Sequence, residues 1–294
     1  MDIKNELSRA SEMIEAELKN CFKRTDSDFS VLHDAELYSL LAGGKRIRPF
    51  LVLRFCTLFG GKEQDAIPLA LALEMIHTYS LIHDDLPCMD NDTMRRGKPT
   101  CHVQFGEDYA LLAGDALLTR AFETVATAES LSASLRIEAI RVLSLAAGDF
   151  GMLAGQVMDS IGEKTPHTEE KLFKMHALKT GALIKAACRL GLIAAGVPSD
   201  DPRSRVVDLY AENIGLAFQV IDDVLDRTGD AASFGKPIGS DSKNGKTTFL
   251  SFLSVEDAER YAVELTDRAI TAISDYDKDG SLTALAYYLC NRTY

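Results

Sequence analysis

Residues 66 to 87 read Ala66-Ile67-Pro68-Leu69-Ala70-Leu71-Ala72-Leu73-Glu74-Met75-Ile76-His77-Thr78-Tyr79-Ser80-Leu81-Ile82-His83-Asp84-Asp85-Leu86-Pro87, an apolar run that ends on two aspartates and a proline. Apolar residues recur at three- and four-residue steps, which predicts a helix over Ala66 to Leu86. Between Ile67 and Ile76 they cover much of the circumference, as expected of a central helix with neighbours on several sides. Ala182 to Ala195 has the same character. The helical period also runs through Leu7 to Phe22, Ala35 to Phe59, Tyr109 to Ala126, Leu135 to Met158, Glu169 to Ala195, Arg205 to Leu225 and Glu256 to Ile273. Alternating Val, Ile and Thr runs are nearly absent, so the expectation is an all-α fold of about eight long helices. Breaks are expected at Gly60-Gly61, Pro87, Gly97 to Pro99, Gly162 to Pro166, Gly196 to Pro202 and Gly229 to Gly245, the last long enough to act as a lid.

The whole chain, 294 residues with 46% hydrophobic and 26% charged side chains, reads as a globular protein, and without an obvious linker it is taken as a single domain over 1–294. Lys and Arg number 32 against 44 Asp and Glu, a net charge of -12 that opposes a nucleic acid partner. The six cysteines, Cys21, Cys56, Cys88, Cys101, Cys188 and Cys290, show no paired spacing for zinc or redox work and fit a reduced compartment. Met1 to Ala10 has no apolar signal core, and no stretch reaches roughly 18 uncharged apolar residues, so no membrane span and a cytoplasmic setting are expected.

Two aspartate clusters are too dense to pass as solvated surface. The first is Asp84-Asp85-Leu86-Pro87-Cys88-Met89-Asp90, closely followed by Arg95-Arg96-Gly97. A lone Asp-Asp pair at a helix end would be an ordinary acidic stop, but here a second cluster, Asp222-Asp223-Val224-Leu225-Asp226, closes another apolar helix. At about 100° per residue Gln219, Asp222 and Asp226 share a stripe while Asp223 points aside. Upstream, His77, Leu81 and Asp84 align in the same way, with Ser80 a turn below Asp84. Oxygen donors without His or Cys among them select a hard cation, Mg²⁺ above all, which keeps positions for phosphate oxygens. Two facing clusters would therefore trap a diphosphate. Its basic partners would be Lys45-Arg46-Ile47-Arg48 after Gly43-Gly44, and Arg95-Arg96; Lys179, Lys236 and Lys246 gain meaning only in that company.

With these elements in order the chain resembles the short-chain trans-prenyl diphosphate synthases, the farnesyl and geranylgeranyl diphosphate synthase family. The likeness runs from about Leu41 to Thr248 over Gly43 to Pro49, Asp84-Asp85-x4-Asp90 with Arg95-Arg96-Gly97, Lys179-Thr180-Gly181, Phe218-Gln219, Asp222-Asp223-x2-Asp226, Gly235-Lys236 and Asp241-x4-Lys246-x-Thr248. The four-residue spacer in the first motif looks like the bacterial and plant type. The resemblance implies the isoprenoid-synthase fold, a large helix bundle around a central cavity, and a homodimer. It implies three Mg²⁺ ions held by Asp84, Asp85, Asp90, Asp222, Asp226 and Asp241, with Arg95, Lys179, Lys236 and Lys246 neutralising the leaving diphosphate. Isopentenyl diphosphate would be held by Lys45, Arg48, His77 and Arg96, and Thr180 and Gln219 would offer oxygen dipoles to the allylic cation.

The resemblance also makes Tyr79, with Ser80 beside it, the residue that limits product length, because an apolar tail has to descend below Asp84. An aromatic residue there is similar to farnesyl synthases, so the expected product is farnesyl diphosphate, with geranylgeranyl or geranyl diphosphate as alternatives. A terpene cyclase would replace the second aspartate cluster by another metal triad; a non-catalytic subunit that tunes a partner synthase could lose the aspartates, and this chain keeps them. Two departures stand out: Thr247-Thr248-Phe249-Leu250 where the family commonly has x-Thr-Tyr-Pro after Lys246, and Asn91 in place of a frequent Asp. The end of the chain, through Arg292, is a further candidate to close over the diphosphate.

Overall fold

A computed structural model describes residues 2–23, 26–228 and 246–291. The expected central helix is α4, Glu63–Asp84. It is preceded by α1 (Ile3–Cys21), α2 (Ser30–Leu40) and α3 (Ile47–Leu58). After it come α5 (Cys101–Phe105), α6 (Glu107–Ala126), α7 (Ala133–Ala147), α8 (Met152–Gly162), α9 (Glu169–His176) and α10 (Ala182–Ala194). The described chain continues with α11 (Arg203–Thr228), α12 (Val255–Ile273) and α13 (Ser281–Cys290). Helix α4 packs against α3, α6 and α10, which accounts for its apolar circumference. Its Leu69, Leu73, Met75 and Ile76 are fully buried, and truncating one such side chain to Ala costs about 2–5 kcal/mol. By length and composition α4 could cross a membrane, but 72% of its apolar window is buried inside the protein, as befits a core helix.

One core cluster takes in side chains from Leu7 in α1 to Leu289 in α13. Gly191 in α10 permits the close approach to α3, since a Cβ there would meet Phe55 Cβ at 2.5 Å and the Val52 carbonyl at 2.7 Å. The fully buried Tyr210 of α11 donates its hydroxyl to the Leu282 carbonyl of α13 at 2.9 Å, so its one polar atom is satisfied.

The all-helical expectation holds, with three revisions. Ala35 to Phe59 is two helices, because Gly43, Gly44 and Arg46 have φ of 93°, 122° and 47°, values no α-helix accommodates. Leu135 to Met158 is broken before Gly151, where a Cβ would lie 2.6 Å from the Leu145 carbonyl. Glu169 to Ala195 is continuous but widens to a π-helical turn over Ala177–Gly181. Among the described residues the strands are β1 (Met94–Arg95) and β2 (Lys98–Pro99), an antiparallel hairpin in which Arg96 and Gly97 both have positive φ, as a two-residue primed turn demands.

At the edge of this core Glu36 of α2 is fully buried with one carboxylate oxygen unpartnered, and Arg120 of α6 reaches the other at 3.4 Å. Burial pushes its carboxyl up to about 7 against the pull of Arg120. The folded state therefore holds a proton on Glu36 that the unfolded chain releases near pH 4.5, and this contribution to stability is lost as pH rises through 7. Glu36→Gln is expected to reduce the fall in unfolding free energy between pH 5 and pH 8 by ~1–2 kcal/mol in urea titrations; parallel profiles for variant and wild type would refute this.

Candidate active site

Helix α4 delivers His77, Ser80, Leu81 and Asp84 to one cavity of about 400 Å³, as their helical alignment requires. Tyr79 also lines it, with 4% exposure, and its ring meets His83 edge-on at 5.7 Å between centroids. Arg48 enters from α3, while Lys179 and Thr180 enter from the π turn. Apolar walls come from Leu81, Leu86, Met89, Leu111, Met152 and Leu183. The combination is a greasy slot with a charged rim.

The first aspartate segment explains its own spacing. After α4 the chain curls so that the Asp90 N–H donates to the Asp84 carbonyl at 2.9 Å, while Met89 and Asn91 both donate to Leu86. The four residues between Asp85 and Asp90 thus let the chain bring Asp90 back to Asp84. Asn91 has φ 54°, a left-handed conformation that Asn tolerates better than most residues, which rationalises the departure noted there. Burial raises the Asp84 carboxyl to about 6, with Asp90 and Asp85 adding to the effect and Lys179 and Arg95 opposing it.

Asp85 has a different setting. It is 2% exposed and receives a fork from Arg95 through Nε and Nη2, the shortest arm being 2.6 Å. A candidate cation ligand and a candidate diphosphate ligand therefore meet each other, on the hairpin side of α4. Arg96, at the hairpin turn, donates to the Gly43 carbonyl and lies flat against Gly44, where a Cβ would sit 2.8 Å from the guanidinium carbon. Lys45 lies over the Tyr288 ring of α13 at 5.3 Å. Arg48 is within 3.4 Å of His77, and burial together with Arg48, Arg96, Arg95 and Arg46 holds His77 neutral, far below its usual range.

On α11 the stripe behaves as the spacing predicts: Gln219 donates to Asp222 at 3.1 Å, and Asp223 turns aside to accept from the Phe249 N–H at 2.7 Å. Gln219 is absent from the cavity lining; its amide oxygen faces His176 Nδ1 at 3.1 Å, so it couples His176 to Asp222. His176 stacks on Phe249 at 5.0 Å, and burial lowers it to about 4. Phe249 is thus a buried platform where the family commonly has Tyr, and the turn that it opens is closed by a reciprocal Thr248–Ser251 cap. Asp222 acts on Arg48 through its charge, so the second acidic segment lies within electrostatic reach of one cavity-lining side chain. Asp226 is buried at 7% exposure. Lys236 and Asp241, the Gly229 to Gly245 loop and Arg292 lie outside the described residues.

One residue at the rim was missed by sequence reasoning. Asp159 of α8 accepts from Lys179 at 2.6 Å and from Lys246 at 3.3 Å, and Lys246 also reaches Glu163 at 3.2 Å. Burial alone would raise Asp159, but the two ammonium groups outweigh it and hold the carboxyl below its usual range. The charge of Asp90 in turn helps to hold Lys246 protonated. The π turn is fixed from both sides: a Cβ at Gly155 of α8 would be 2.5 Å from Lys179 Cα, and one at Gly215 of α11 would be 3.4 Å from Gly181 Cα. The available signal was that Asp159 is the sole charge in Met152–Gly162, three residues after the cavity-lining Gln156.

Among the described residues no three His, Cys, Asp or Glu side chains complete a metal cluster. Asp84 and Asp90, held together by the backbone, are oxygen donors of the kind that binds a hard divalent cation and leaves positions for water or phosphate.

The polyprenyl synthetase family profile matches residues 30–283. A geranylgeranyl diphosphate synthase of Cyanophora paradoxa is 45% identical over 289 residues, 97% of this chain and 95% of that protein. A farnesyl diphosphate synthase of Haemophilus influenzae is 41% identical over 287 residues, 98% of this chain and 97% of that protein. A crystal structure of a Helicobacter pylori geranyltransferase complexed with magnesium and isoprenyl diphosphate superimposes with a TM-score of 0.85 at 34% identity, covering 99% of this chain and 96% of that one.

Since Asp84 holds a cation only once it is deprotonated, cation affinity is expected to fall as pH drops through about 6 rather than through the ordinary range near 4. Counting bound Mn²⁺ by electron paramagnetic resonance at pH 7.5 and 5.0 should show about a tenfold loss; equal affinity at the two pH values would count against Asp84 as a ligand.

Proposed function

Because this chain belongs to the polyprenyl synthetase family, with the isoprenoid-synthase fold, we propose that it condenses isopentenyl diphosphate head to tail with dimethylallyl or geranyl diphosphate to give farnesyl diphosphate. The observation that carries the reading is the meeting of Asp84, Lys179, Arg48 and His77 at the rim of one apolar cavity. The allylic diphosphate is oriented with its charged end at Asp84, Asp90 and Asp222 and its tail between Leu81, Met89 and Leu183. Asp84, Asp90 and Asp222 would hold Mg²⁺, three ions in this reading, which would supply positive charge to offset the negative charge developing on the diphosphate as the carbon–oxygen bond breaks. Magnesium is present in the Helicobacter pylori relative, which supports this assignment.

Lys179 and Lys246, aligned by Asp159, add positive charge on the leaving-group side, with Arg95 and Lys236 assigned to the same task. Arg48, Lys45 and Arg96 hold isopentenyl diphosphate with neutral His77 as a polar neighbour. Its double bond forms the new carbon–carbon bond to the allylic C1, and loss of a proton to the released diphosphate restores neutrality. The Thr180 hydroxyl faces the cationic centre, and the apolar walls keep water away from it. Asp85 and Gln219 serve this scheme from behind the cavity, through Arg95 and through His176 with Asp222.

Tyr79 is the bulky wall below Asp84 and sets fifteen carbons as the product; a twenty-carbon product is the second reading, favoured by the Cyanophora paradoxa relative. The chain works as one domain, 1–294, in a cytoplasmic setting consistent with six free thiols. A homodimer is supported by exposed apolar side chains, Leu112 on α6, Phe150 just before α8, and Leu153, Val157 and Ile161 along α8.

Incubating the purified protein with Mg²⁺, isopentenyl diphosphate and geranyl diphosphate is expected to yield farnesyl diphosphate, and Tyr79→Ala products of twenty carbons or more. No elongation by the wild type would reject the activity, and an unchanged product length in the variant would reject Tyr79 as the limit. Val157→Asp is expected to halve the mass seen by light scattering; a wild type that is already monomeric would reject the dimer.

A further inference from the structure

The basic run Lys45 to Arg48 does not act as one patch. Arg48 lines the cavity and Lys45 lies over the Tyr288 ring, whereas the Arg46 side chain is fully buried. Arg46 sits immediately before α3 with φ 47° and ψ 38°, a left-handed conformation unusual for a residue with a side chain. Both terminal nitrogens of its fork are engaged, one by Glu74 of α4 at 2.6 Å, the other by Glu15 of α1 at 3.0 Å and the Leu40 carbonyl at the end of α2, while the buried Nε has no partner. Glu74 is 2% exposed, in the middle of the central helix α4. It acts on more than Arg46. Burial lowers both Arg48 and Arg96, and in each case Glu74 is the leading carboxylate that opposes the effect. A buried carboxylate deprived of its partner is strongly unfavourable, so it would recruit a nearby cation.

We propose that Arg46 is a positioning residue for the isopentenyl diphosphate end of the site: by saturating Glu74 it keeps that carboxylate from drawing Arg48 away from His77 and Arg96 away from Gly44. The proposal rests on the function argued above. It differs from a purely structural role for Arg46 in one respect. Removing Glu74 as well as Arg46 takes away the competitor, so Arg48 and Arg96 stay where they are.

The test measures KM separately for isopentenyl and geranyl diphosphate in the full-length enzyme. Arg46→Gln is expected to raise KM for isopentenyl diphosphate at least tenfold and to leave KM for geranyl diphosphate within twofold. The double variant Arg46→Gln/Glu74→Gln is expected to return KM for isopentenyl diphosphate to within about threefold of wild type. A double variant as impaired as the single one, or two KM values that rise together, overturns the proposal. Should Arg46→Gln fail to fold, Arg46→Lys carries the test: the ammonium keeps the charge but cannot reach three acceptors in a fork, so a selective three- to tenfold rise is expected, and no rise overturns the proposal. A wild type without prenyl transfer would overturn the function itself, whereas an active wild type with unselective variants overturns only the role of Arg46.

Discussion

A carboxylate at the buried end of an apolar helix is tolerable only beside positive charge, and the charged end of this protein is arranged around that constraint. Helix α4 is apolar from Ala66 to Leu73 because it is surrounded, and it ends on Asp84 with Asp85 as its cap. The two aspartates meet the constraint in different ways. Asp85 is closed off by the Arg95 fork, whereas Asp84, raised to about 6, faces the cavity beside Lys179. One helix end thus supplies both a fixed ion pair and an open position for a cation, and the hairpin carrying Arg95 is held to the bundle by the closed one.

The same logic extends around the rim. Asp159 gathers Lys179 and Lys246 from segments far apart in the chain, and its own depressed carboxyl is the counterpart of their charge. Lys179 can reach it because the π turn is clamped between Gly155 and Gly215. A π turn inserts one residue into the helical count and rotates the next helical turn, a common device at functional sites. Around a neutral His77 arginine cations crowd together, and Glu74 and Asp222 are anions that offset the burial of Arg48 among them.

Much of this was legible along the chain because helices make side-chain geometry a function of spacing. The stripe of His77, Leu81 and Asp84, the Gln219–Asp222 pair and the sideways turn of Asp223 all follow from 100° per residue. The helix boundaries that were misplaced fall at backbone irregularities, Gly43 to Arg46, Gly151 and the π turn, where hydrophobic periodicity carries on across the break. Asp159 was overlooked because a single carboxylate in an apolar helix has no local partner to mark it.

The amino-acid order settled the helical class, the central place of α4, the two acidic segments and the basic residues that accompany them, since periodicity and local charge density are properties of neighbours in the chain. Only packing decided which cation answers which anion. Arg46 and Arg48 are two residues apart, yet one is locked on Glu74 and Glu15 while the other lines the cavity; Arg95 and Arg96 are adjacent, yet they face Asp85 and Gly43. Ion pairing depends on distances of a few ångströms and on burial, and both arise only when helices remote in the chain are brought side by side.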